Sequence, residues 1–345
     1  MTEKIKISFF MAIALTCLAT FGGCQPKYKF ITSLKAGETG TFRFPTRDVD
    51  GFQDLMIGDN AYDAKGLGNL YLPSKASREN KVAVMVILHG SGGEWSGRGA
   101  DHAEFLVQHG IGAFIVDTFV SRGLTKWDKY IQRVMKVNLP DQLTDAFAAL
   151  EVLHTHPFVD GNRIGIMGYS MGGITTILAA FEEIAQNSSR SKIRFALHVS
   201  FYATCVIQPE NGRGTGAPIF CLWGEEDETT PRSRCEELVK HLQDGGNSVK
   251  AIWYPDAAHG WNEKKPMEFN EYALNASPCR FIIHSDGSVI EEVTAMTSIT
   301  DKKFIENLKH CTGLGYTIGR HDETHINANK ALLTAIVTYM PDPKK

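Results

Sequence analysis

Residues 168–173, with the sequence GYSMGG, form the pattern in this chain with the clearest chemical meaning. An apolar segment that predicts a strand precedes them, and an apolar segment with helical spacing follows. A G-x-S-x-G turn between a strand and a helix holds its serine on a tight bend, and the helix N-terminus favours an oxyanion beside it. The pattern predicts Ser170 as a nucleophile, and the alternative is a glycine-rich turn without chemistry.

A serine hydroxyl is a weak nucleophile, so Ser170 needs a general base. In the chain order that accompanies this turn, the acid follows the nucleophile and the base comes last, each after a later strand. His259 fits because it follows the apolar segment 249–254. His321 and His325 remain alternatives, whereas His198 lies within an apolar strand pattern and is expected in the core.

The acid that orients the base is expected on an acidic turn after the strand predicted at 218–223. We select Asp227 on this turn, with Glu226 as the alternative. An ordinary acidic helix cap would explain the same carboxylates. Asp256 is a weaker candidate because it precedes the base on the same loop, against the expected chain order.

An oxyanion hole needs two backbone N–H donors, and the sequence offers a candidate position for each. The first is the N–H of Met171, directly after the nucleophile. The second lies in the loop HGSGG at 89–93, which follows a buried strand pattern, with Ser91 as the predicted donor and Gly92 as the alternative. A flexible turn is the simpler interpretation of this loop, which lacks the lysine spacing of a phosphate-binding loop.

Three tryptophans and one arginine follow strands at the same predicted edge of the sheet. Trp95, Trp127 and Trp261 are candidates either for lining an acyl pocket or for core packing. Arg122 is a candidate either for binding a substrate carboxylate or for fixing its own loop. The sequence leaves both pairs of alternatives open.

Strand and helix patterns alternate along most of the chain and predict one α/β domain, with a mostly parallel sheet covered by helices on both faces. Residues 262–321 interrupt this rhythm, are polar and contain a hairpin-like turn at 284–287, which predicts an insertion before the last helix. The predicted strands are 41–45, 68–72, 82–88, 112–116, 163–167, 195–201, 218–223 and 249–254, and the predicted helices are 100–109, 139–156, 172–184, 232–243 and 328–339.

The composition fits a globular protein with a large core. The chain has 345 residues, is 43% hydrophobic and has a formal net charge of −3. Without a basic excess, nucleic acid is not an expected partner. Cysteine and histidine spacings do not match a zinc site, and we expect neither metal nor cofactor.

The N-terminus predicts export. Lys4 and Lys6 precede an apolar run at 7–21, and small residues follow. The sequence FGGC at 21–24 resembles a bacterial lipoprotein cleavage box, which implies lipidation of Cys24, a membrane tether and a place in the periplasm or on a membrane of the cell envelope. An uncleaved membrane anchor is the alternative, although spanning a bilayer takes ~20 apolar residues. We therefore divide the chain into a signal at 1–23, a tether and lead-in at 24–60, and the α/β domain at 61–345.

Cysteine usage agrees with export, because five of the seven cysteines lie within the predicted domain. Two disulfides and one free thiol are the simplest arrangement in an oxidising compartment. Cys221 lies inside an apolar strand pattern and is predicted to be free. We pair Cys205 with Cys235 and Cys279 with Cys311, and the alternative is five reduced core cysteines.

Several short motifs together resemble the dienelactone hydrolase family of α/β-hydrolases, over roughly residues 66–261 and the final helix. The resemblance implies the α/β-hydrolase fold, a triad of Ser170, Asp227 and His259, and hydrolysis of a small carboxylic ester or lactone. The family typically has cysteine where this chain has Ser170. The matching pieces are Leu88-His89-Gly90, Gly168–Gly173, Trp223-Gly224 with Asp227 and Pro231, and Tyr254 with His259-Gly260.

Two other functions remain open at this point. A peptidase of the prolyl-oligopeptidase type shares the fold and the triad order, but it usually has a large additional domain for which this chain lacks room. A non-catalytic binding protein of the cell envelope could have kept the fold without the reaction. An intact nucleophile, acid and base argue against this last alternative.

Overall fold

The computed structural model describes residues 28–59 and 61–343, so the predicted signal and Cys24 lie outside the described residues. The strands are β1 Lys29–Phe30, β2 Gly40–Thr46, β3 Ala64–Tyr71, β4 Val82–Leu88, β5 Gly112–Val116, β6 Val159–Tyr169, β7 His198–Phe201, β8 Ile207–Pro209, β9 Ile219–Gly224, β10 Val249–Tyr254, β11 Glu268–Asn275, β12 Phe281–Ile283, β13 Val289–Glu291, β14 Met296–Ser298 and β15 Gly313–Ile318. The helices are α1 Gly51–Ile57, α2 Arg98–Gln108, α3 Thr118–Ser121, α4 Tyr130–Lys136, α5 Leu139–His154, α6 Met171–Leu178, α7 Glu182–Ser188, α8 Arg232–Asp244, α9 Asp301–Cys311 and α10 Asp322–Tyr339.

Within the described residues, nine strands form the main sheet in the order β1-β2-β3-β5-β4-β6-β7-β9-β10. From β5 to β10 all neighbouring strands are parallel, whereas β3 pairs antiparallel with both β2 and β5. This is the predicted α/β architecture with a mostly parallel sheet. Its register places the carboxyl ends of β6, β9 and β10 at one edge, where the catalytic candidates follow.

Both faces of the sheet are buried, as the sequence of β4 illustrates. Val84, Val86 and Leu88 join one apolar cluster, while Met85 and Ile87 join the cluster on the other face. Such continuous apolar strands are typical of parallel sheets, because helices cover both sides. Helix α5 packs on the first face, and α2 and α10 pack on the second.

Described residues of the predicted tether and lead-in pack on the main sheet. Strand β2 pairs along its whole length with β3, and α1 contributes Phe52 and Leu55 to the core. Phe42 and Phe44 alternate with partly exposed neighbours and are buried. Burial of these aromatic side chains explains why this segment packs on the sheet instead of acting as a tether.

The single helix predicted at 172–184 is two helices, α6 and α7. Between them Phe181 forms a β-bridge with Gly214, and the N–H of Thr215 donates to the carbonyl of Ala180 at 2.9 Å. These long-range backbone bonds replace the helical bonds at the junction. The apolar pattern continues across the break because Phe181 is fully buried, so the sequence gives no sign of it.

Residues 262–321, which we call the late segment, form more regular structure than their polar sequence predicts. Strands β12, β13 and β14 form a small sheet with β8, and β11 pairs antiparallel with β15. The hairpin predicted at 284–287 is confirmed by the antiparallel pairing of β12 with β13. Helix α9, which was not predicted, lies between β14 and β15.

Two disulfides brace this part of the molecule. Cys205 is bonded to Cys235 and Cys279 to Cys311, which is the predicted pairing, and Cys221 is a free thiol buried in β9. The first disulfide joins the loop after β7 to α8. The second joins the loop before β12 to the end of α9. Each disulfide therefore links a loop to a helix outside the main sheet.

Candidate active site

Ser170 lies at the sharp turn between β6 and α6. Its backbone has φ 51° and ψ −114°, a conformation that non-glycine residues rarely adopt and that is typical of strained functional turns. A Cβ on Gly168 would lie 2.2 Å from the carbonyl oxygen of Gly172, and one on Gly172 would lie 2.5 Å from that of Leu88. Only glycine fits both positions, so the motif's glycines allow the close backbone approach that exposes Ser170.

Three side chains form a continuous hydrogen-bonded chain at the edge of the sheet. The Oγ of Ser170 lies 3.0 Å from Nε2 of His259, and Nδ1 of His259 lies 2.8 Å from Oδ2 of Asp227. Asp227 follows β9 and His259 follows β10, which are neighbouring parallel strands. The structure therefore brings together the three residues selected from the sequence in the order that acyl transfer requires.

The backbone around His259 is fixed by the late segment. Its N–H donates to the carbonyl of Thr317 at 3.3 Å, and the N–H of Gly319 donates to its carbonyl at 3.0 Å. The rings of Tyr202 and Tyr316 contact the imidazole edge to face, with ring centroids 4.9 and 5.2 Å away. The side chain of His259 is only 5% exposed, so its orientation is well constrained.

Thr229 is a site residue that the sequence analysis missed. Its backbone N–H and its hydroxyl donate to Oδ1 of Asp227 at 2.9 and 2.7 Å, and the same hydroxyl oxygen lies 3.0 Å from Nδ1 of His259. A threonine two residues after a carboxylate commonly makes such a turn, which was the available signal. Because the carboxylate of Asp227 only accepts, Nδ1 carries the ring proton and Nε2 is free to accept from Ser170.

The two predicted oxyanion donors, Met171 and Ser91, belong to residues that line the same pocket as Ser170. Helix α6 begins at Met171, whose N–H belongs to the first turn and lacks an intrahelical acceptor. Ser91 lines the same pocket as Ser170, and its hydroxyl accepts from Tyr130 at 3.2 Å. Gly92 does not line this pocket, so Ser91 stays the preferred candidate for the second donor.

The loop that carries Ser91 packs directly on the nucleophile turn. A Cβ on Gly90 would lie 3.0 Å from the carbonyl oxygen of Tyr169 and 3.3 Å from Cβ of Ser170. The side chain of Gln142 donates to the carbonyl of His89 at 3.0 Å, which ties the loop to α5. This glycine-rich loop is therefore held in place by packing and hydrogen bonds.

The alternative histidines lie away from Ser170. His321 precedes α10 and its Nδ1 lies 2.7 Å from the hydroxyl of Thr324. His325 contacts the buried ring of His102. His198 is fully buried in β7, as expected of a core residue, and burial lowers its pKa to about 4.

The alternative acids, Glu226 and Asp256, and the arginine, Arg122, do not line the pocket at Ser170. Glu226 and Asp256 are exposed on the turns after β9 and β10. Arg122 forms ion pairs with Asp48, Asp141 and Asp145 at 2.9, 3.1 and 2.8 Å. Arg122 therefore fixes its own loop.

The three tryptophans do not line the pocket at Ser170. Trp261 is fully buried against the ring of Tyr202, 4.7 Å away, and Trp95 stacks on Phe119. Trp127 is 83% exposed. For Trp95 and Trp261, packing is the better of the two interpretations.

A pocket of about 210 Å³ opens beside Ser170, between the main sheet and the late segment. Ser91, Met171, Thr229 and His259 surround the nucleophile at one part of it, and most of the remaining wall is apolar. Among the described residues, His, Cys, Asp and Glu side chains form no group of three or more that could hold a metal ion. The same part of the chain contains no helix long and apolar enough to cross a bilayer.

Comparisons with known proteins bear on this arrangement. A sequence model of the dienelactone hydrolase family matches residues 68–282. The crystal structure of a protein described as a dienelactone hydrolase from Klebsiella pneumoniae is similar with a TM-score of 0.51 and 14% identity, over 87% of this chain and 99% of that one. No curated protein matches the chain.

Esterase 2 from Thermogutta terrifontis is also similar in structure. Its paraoxon-phosphorylated form gives a TM-score of 0.46 at 16% identity, over 60% of this chain and 82% of that one. Its propionate-bound form gives 0.46 at 15% identity, over 62% and 85%.

Proposed function

This chain belongs to the dienelactone hydrolase family of α/β-hydrolases and is a hydrolase of ester bonds; we propose that it cleaves a carboxylic ester or lactone through an acyl-enzyme formed on Ser170. The observation that carries the proposal is the hydrogen-bonded chain from Ser170 through His259 to Asp227. This chain of hydrogen bonds borders a pocket of about 210 Å³, and a cavity of ~150 Å³ already accommodates a small organic molecule.

In the first half of the reaction, Oγ of Ser170 attacks the substrate carbonyl while Nε2 of His259 takes the hydroxyl proton. The N–H groups of Met171 and Ser91 stabilise the oxyanion of the tetrahedral intermediate. When the intermediate collapses, His259 gives its proton to the departing alkoxide. An alcohol leaves, or the new hydroxyl stays on the acyl chain if the substrate is a lactone.

In the second half, water replaces the alcohol. His259 takes a proton from water as the water oxygen attacks the acyl carbon, and it returns this proton to Oγ of Ser170 as the carboxylic acid leaves. Asp227 stays ionised, holds the imidazole in the tautomer described above and stabilises the imidazolium. Thr229 keeps this carboxylate in position in both halves.

Active-site labelling tests the proposal. We expect a fluorophosphonate to add once to the protein, at Ser170, as read by intact mass and peptide mapping. Ser170→Ala and His259→Ala should both abolish the adduct and lower kcat for a nitrophenyl ester by ~10⁴-fold or more. Thermal unfolding of both variants controls for misfolding, and a folded wild-type protein without an adduct would refute an activated serine.

The same assay separates an esterase from a peptidase. We expect hydrolysis of nitrophenyl esters and much slower turnover of aminoacyl-nitroanilides, because the chain belongs to a family of ester hydrolases. Faster turnover of the anilides would favour the peptidase.

We further propose that the protein acts outside the cytoplasm. The two disulfides favour an oxidising compartment. The basic and apolar N-terminus with Cys24 fits export and lipidation. The mass of the mature N-terminal peptide tests this point, since a lipid adduct on Cys24 is expected and an intact Met1 would exclude cleavage.

A further inference from the structure

The pocket beside Ser170 has apolar walls from separate parts of the chain. Ile174 lies in α6, one helical turn after the nucleophile, and α4 contributes further apolar side chains. Ile207 of β8 pairs with Phe281 of the late segment, which also contributes Phe304 and Leu308. The rings of Phe281 and Phe304 pack against each other with centroids 4.7 Å apart, which gives that wall a continuous apolar surface.

Charged groups are few in this pocket and do not suit a buried substrate carboxylate. Besides His259, the acidic and basic residues that line it are Asp301 and Lys309. Asp301 is hydrogen-bonded to Asn138, and Lys309 is an exposed residue of α9. Arg122 lies outside the lining and is held by three carboxylates. A carboxylate deep in the pocket would lose its hydration without a guanidinium to replace it.

The volume sets an approximate length for what the pocket holds. A dry cavity of ~150 Å³ accommodates benzene, which has six carbons. In proportion, the 210 Å³ measured here corresponds to about eight carbons. Each buried methylene strengthens binding by about fourfold, so chain length in this range should matter strongly.

Both disulfides adjoin the pocket wall. Cys205 lies between the lining residues Thr204 and Val206, and Cys311 directly precedes the lining residue Thr312. A wall fixed at these points gives the pocket a defined depth. Helix α9 and β15 also lie beyond residues 68–282, so part of this wall lies outside the region that matches the family model.

From these observations we propose that the pocket binds an uncharged aliphatic chain of about eight carbons, carried by the ester that Ser170 cleaves. This inference rests on the proposed function and narrows its substrate to apolar, medium-chain esters. The chain could belong to the acid or to the alcohol of the ester. The chemistry that recognises it is the same, and two series of substrates distinguish the sources.

The experiment measures kcat/KM for nitrophenyl esters of linear acids with two to sixteen carbons, and for acetates of linear alcohols over the same range. We expect kcat/KM to rise two- to fourfold per methylene to an optimum near eight carbons in one series. A rise among the nitrophenyl esters assigns the pocket to the acid, and a rise among the acetates assigns it to the alcohol. An ester of equal length with a terminal carboxylate should react at least tenfold more slowly.

Two variants of α9 test whether this pocket sets the preference. Leu308→Trp fills the pocket and should lower the ratio of octanoate to acetate kcat/KM by tenfold or more. Glu306→Trp is the matched control, because Glu306 is exposed on the same helix and does not line the pocket, and it should leave the ratio unchanged. Phe304→Ala should move the optimum to longer chains.

The outcomes separate this inference from the proposed function. Ser170-dependent hydrolysis with a flat response in both series, a preference for the carboxylate-bearing ester, or an unchanged ratio in Leu308→Trp would overturn the inference alone. Lack of Ser170-dependent hydrolysis of every ester would overturn the proposed function and the inference with it.

Discussion

The two sides of the pocket at Ser170 are built in different ways. On one side, the proposed nucleophile, acid and base follow the carboxyl ends of β6, β9 and β10. On the other side, the late segment has strands of three residues at β12, β13 and β14 and a helix, α9, with Asn307 as its fully buried residue. The wall on the sheet side is supported by the parallel strands of the main sheet. The wall formed by the late segment is supported by disulfides and by packing against the sheet side.

Under the two proposals made above, catalysis and substrate selection have separate structural supports. Parallel strands bring their following loops to one edge by topology alone, so the positions of Ser170, Asp227 and His259 follow from the sheet. The late segment contributes the apolar wall and also the carbonyl of Thr317 that accepts from His259. Changes on the sheet side should therefore affect mainly turnover. Changes in the late segment should affect mainly stability and chain-length preference.

The largest effect is expected for Asp227→Asn, on the side of the sheet. An amide can donate to Nδ1 of His259 and so hold the tautomer that cannot accept from Ser170, which should lower kcat by ~10⁴-fold. The ratio of octanoate to acetate kcat/KM should stay constant, because the pocket wall is unchanged. Glu226→Gln is the matched control on the same turn and should change kcat less than twofold. A lowered ratio in Asp227→Asn would contradict the separation of the two regions.

An intermediate effect is expected when the late segment loses its covalent support. The Cys279→Ser/Cys311→Ser variant should lose about 3–4 kcal/mol of unfolding free energy, since the disulfide spans 32 residues. Its preference for eight carbons should weaken, while fluorophosphonate labelling of Ser170 persists. Denaturant unfolding and the ester series measure both properties.

Cys221→Ala controls for loss of a thiol as such. Cys221 is buried and unpaired in β9, so its replacement removes one sulfur without opening a loop. We expect a cost of about 1 kcal/mol and an unchanged ester preference. If this variant and the double variant behaved alike, the disulfide would not be what supports the wall.

The smallest effect concerns the pH dependence of stability at the start of α9. Burial, followed by the charges of Asp141, Asp50 and Asp54, raises the pKa of Asp301 to about 8. The folded protein then keeps a proton that the unfolded chain releases above about pH 4, so stability falls as pH rises from 4 to 8. Asp301→Asn should be about 1–2 kcal/mol more stable than the parent at pH 8, with the difference vanishing near pH 4.

Thermal unfolding across this pH range checks the expectation. Asp256→Asn is a suitable control, because Asp256 is exposed and has φ 57°, which asparagine tolerates. It should not change the slope of stability against pH. An Asp301→Asn variant that lost stability at pH 8 would show that this carboxylate makes a favourable ionic contact.

The sequence predicts the sheet side of the molecule well because its signals are local. Each central strand is an apolar run, and Ser170, Asp227 and His259 follow three of these runs within a few residues. Thr229 was not predicted, because its role depends on contacts with two side chains, Asp227 and His259, that are distant from each other in the sequence. The break between α6 and α7 was not predicted, because it results from pairing with a loop that is distant in the sequence, at Gly214.

The late segment was harder to predict because tertiary contacts determine its structure. Strands of three residues are too short to show an alternating pattern. Helix α9 carries Phe304, Ile305 and Leu308 at helical spacing, and Thr300 accepts from the N–H of Lys303 as an N-cap, so a signal existed. Its many charged residues concealed that signal. The strand predicted at 41–45 corresponds to β2, but its antiparallel pairing with β3 was not predicted, since Phe42 and Phe44 show alternation over only a few residues.

The order of the cysteines along the chain has a consequence for biogenesis. The two disulfides close consecutive loops that neither nest nor cross, since Cys235 precedes Cys279. A chain made from its N-terminus therefore presents the first pair before the second pair exists. Of the thiols within residues 28–343, Cys221 is the one wrong partner available at that stage, and formation of β9 buries it. Folding of this strand thus keeps Cys221 from pairing with Cys205 or Cys235.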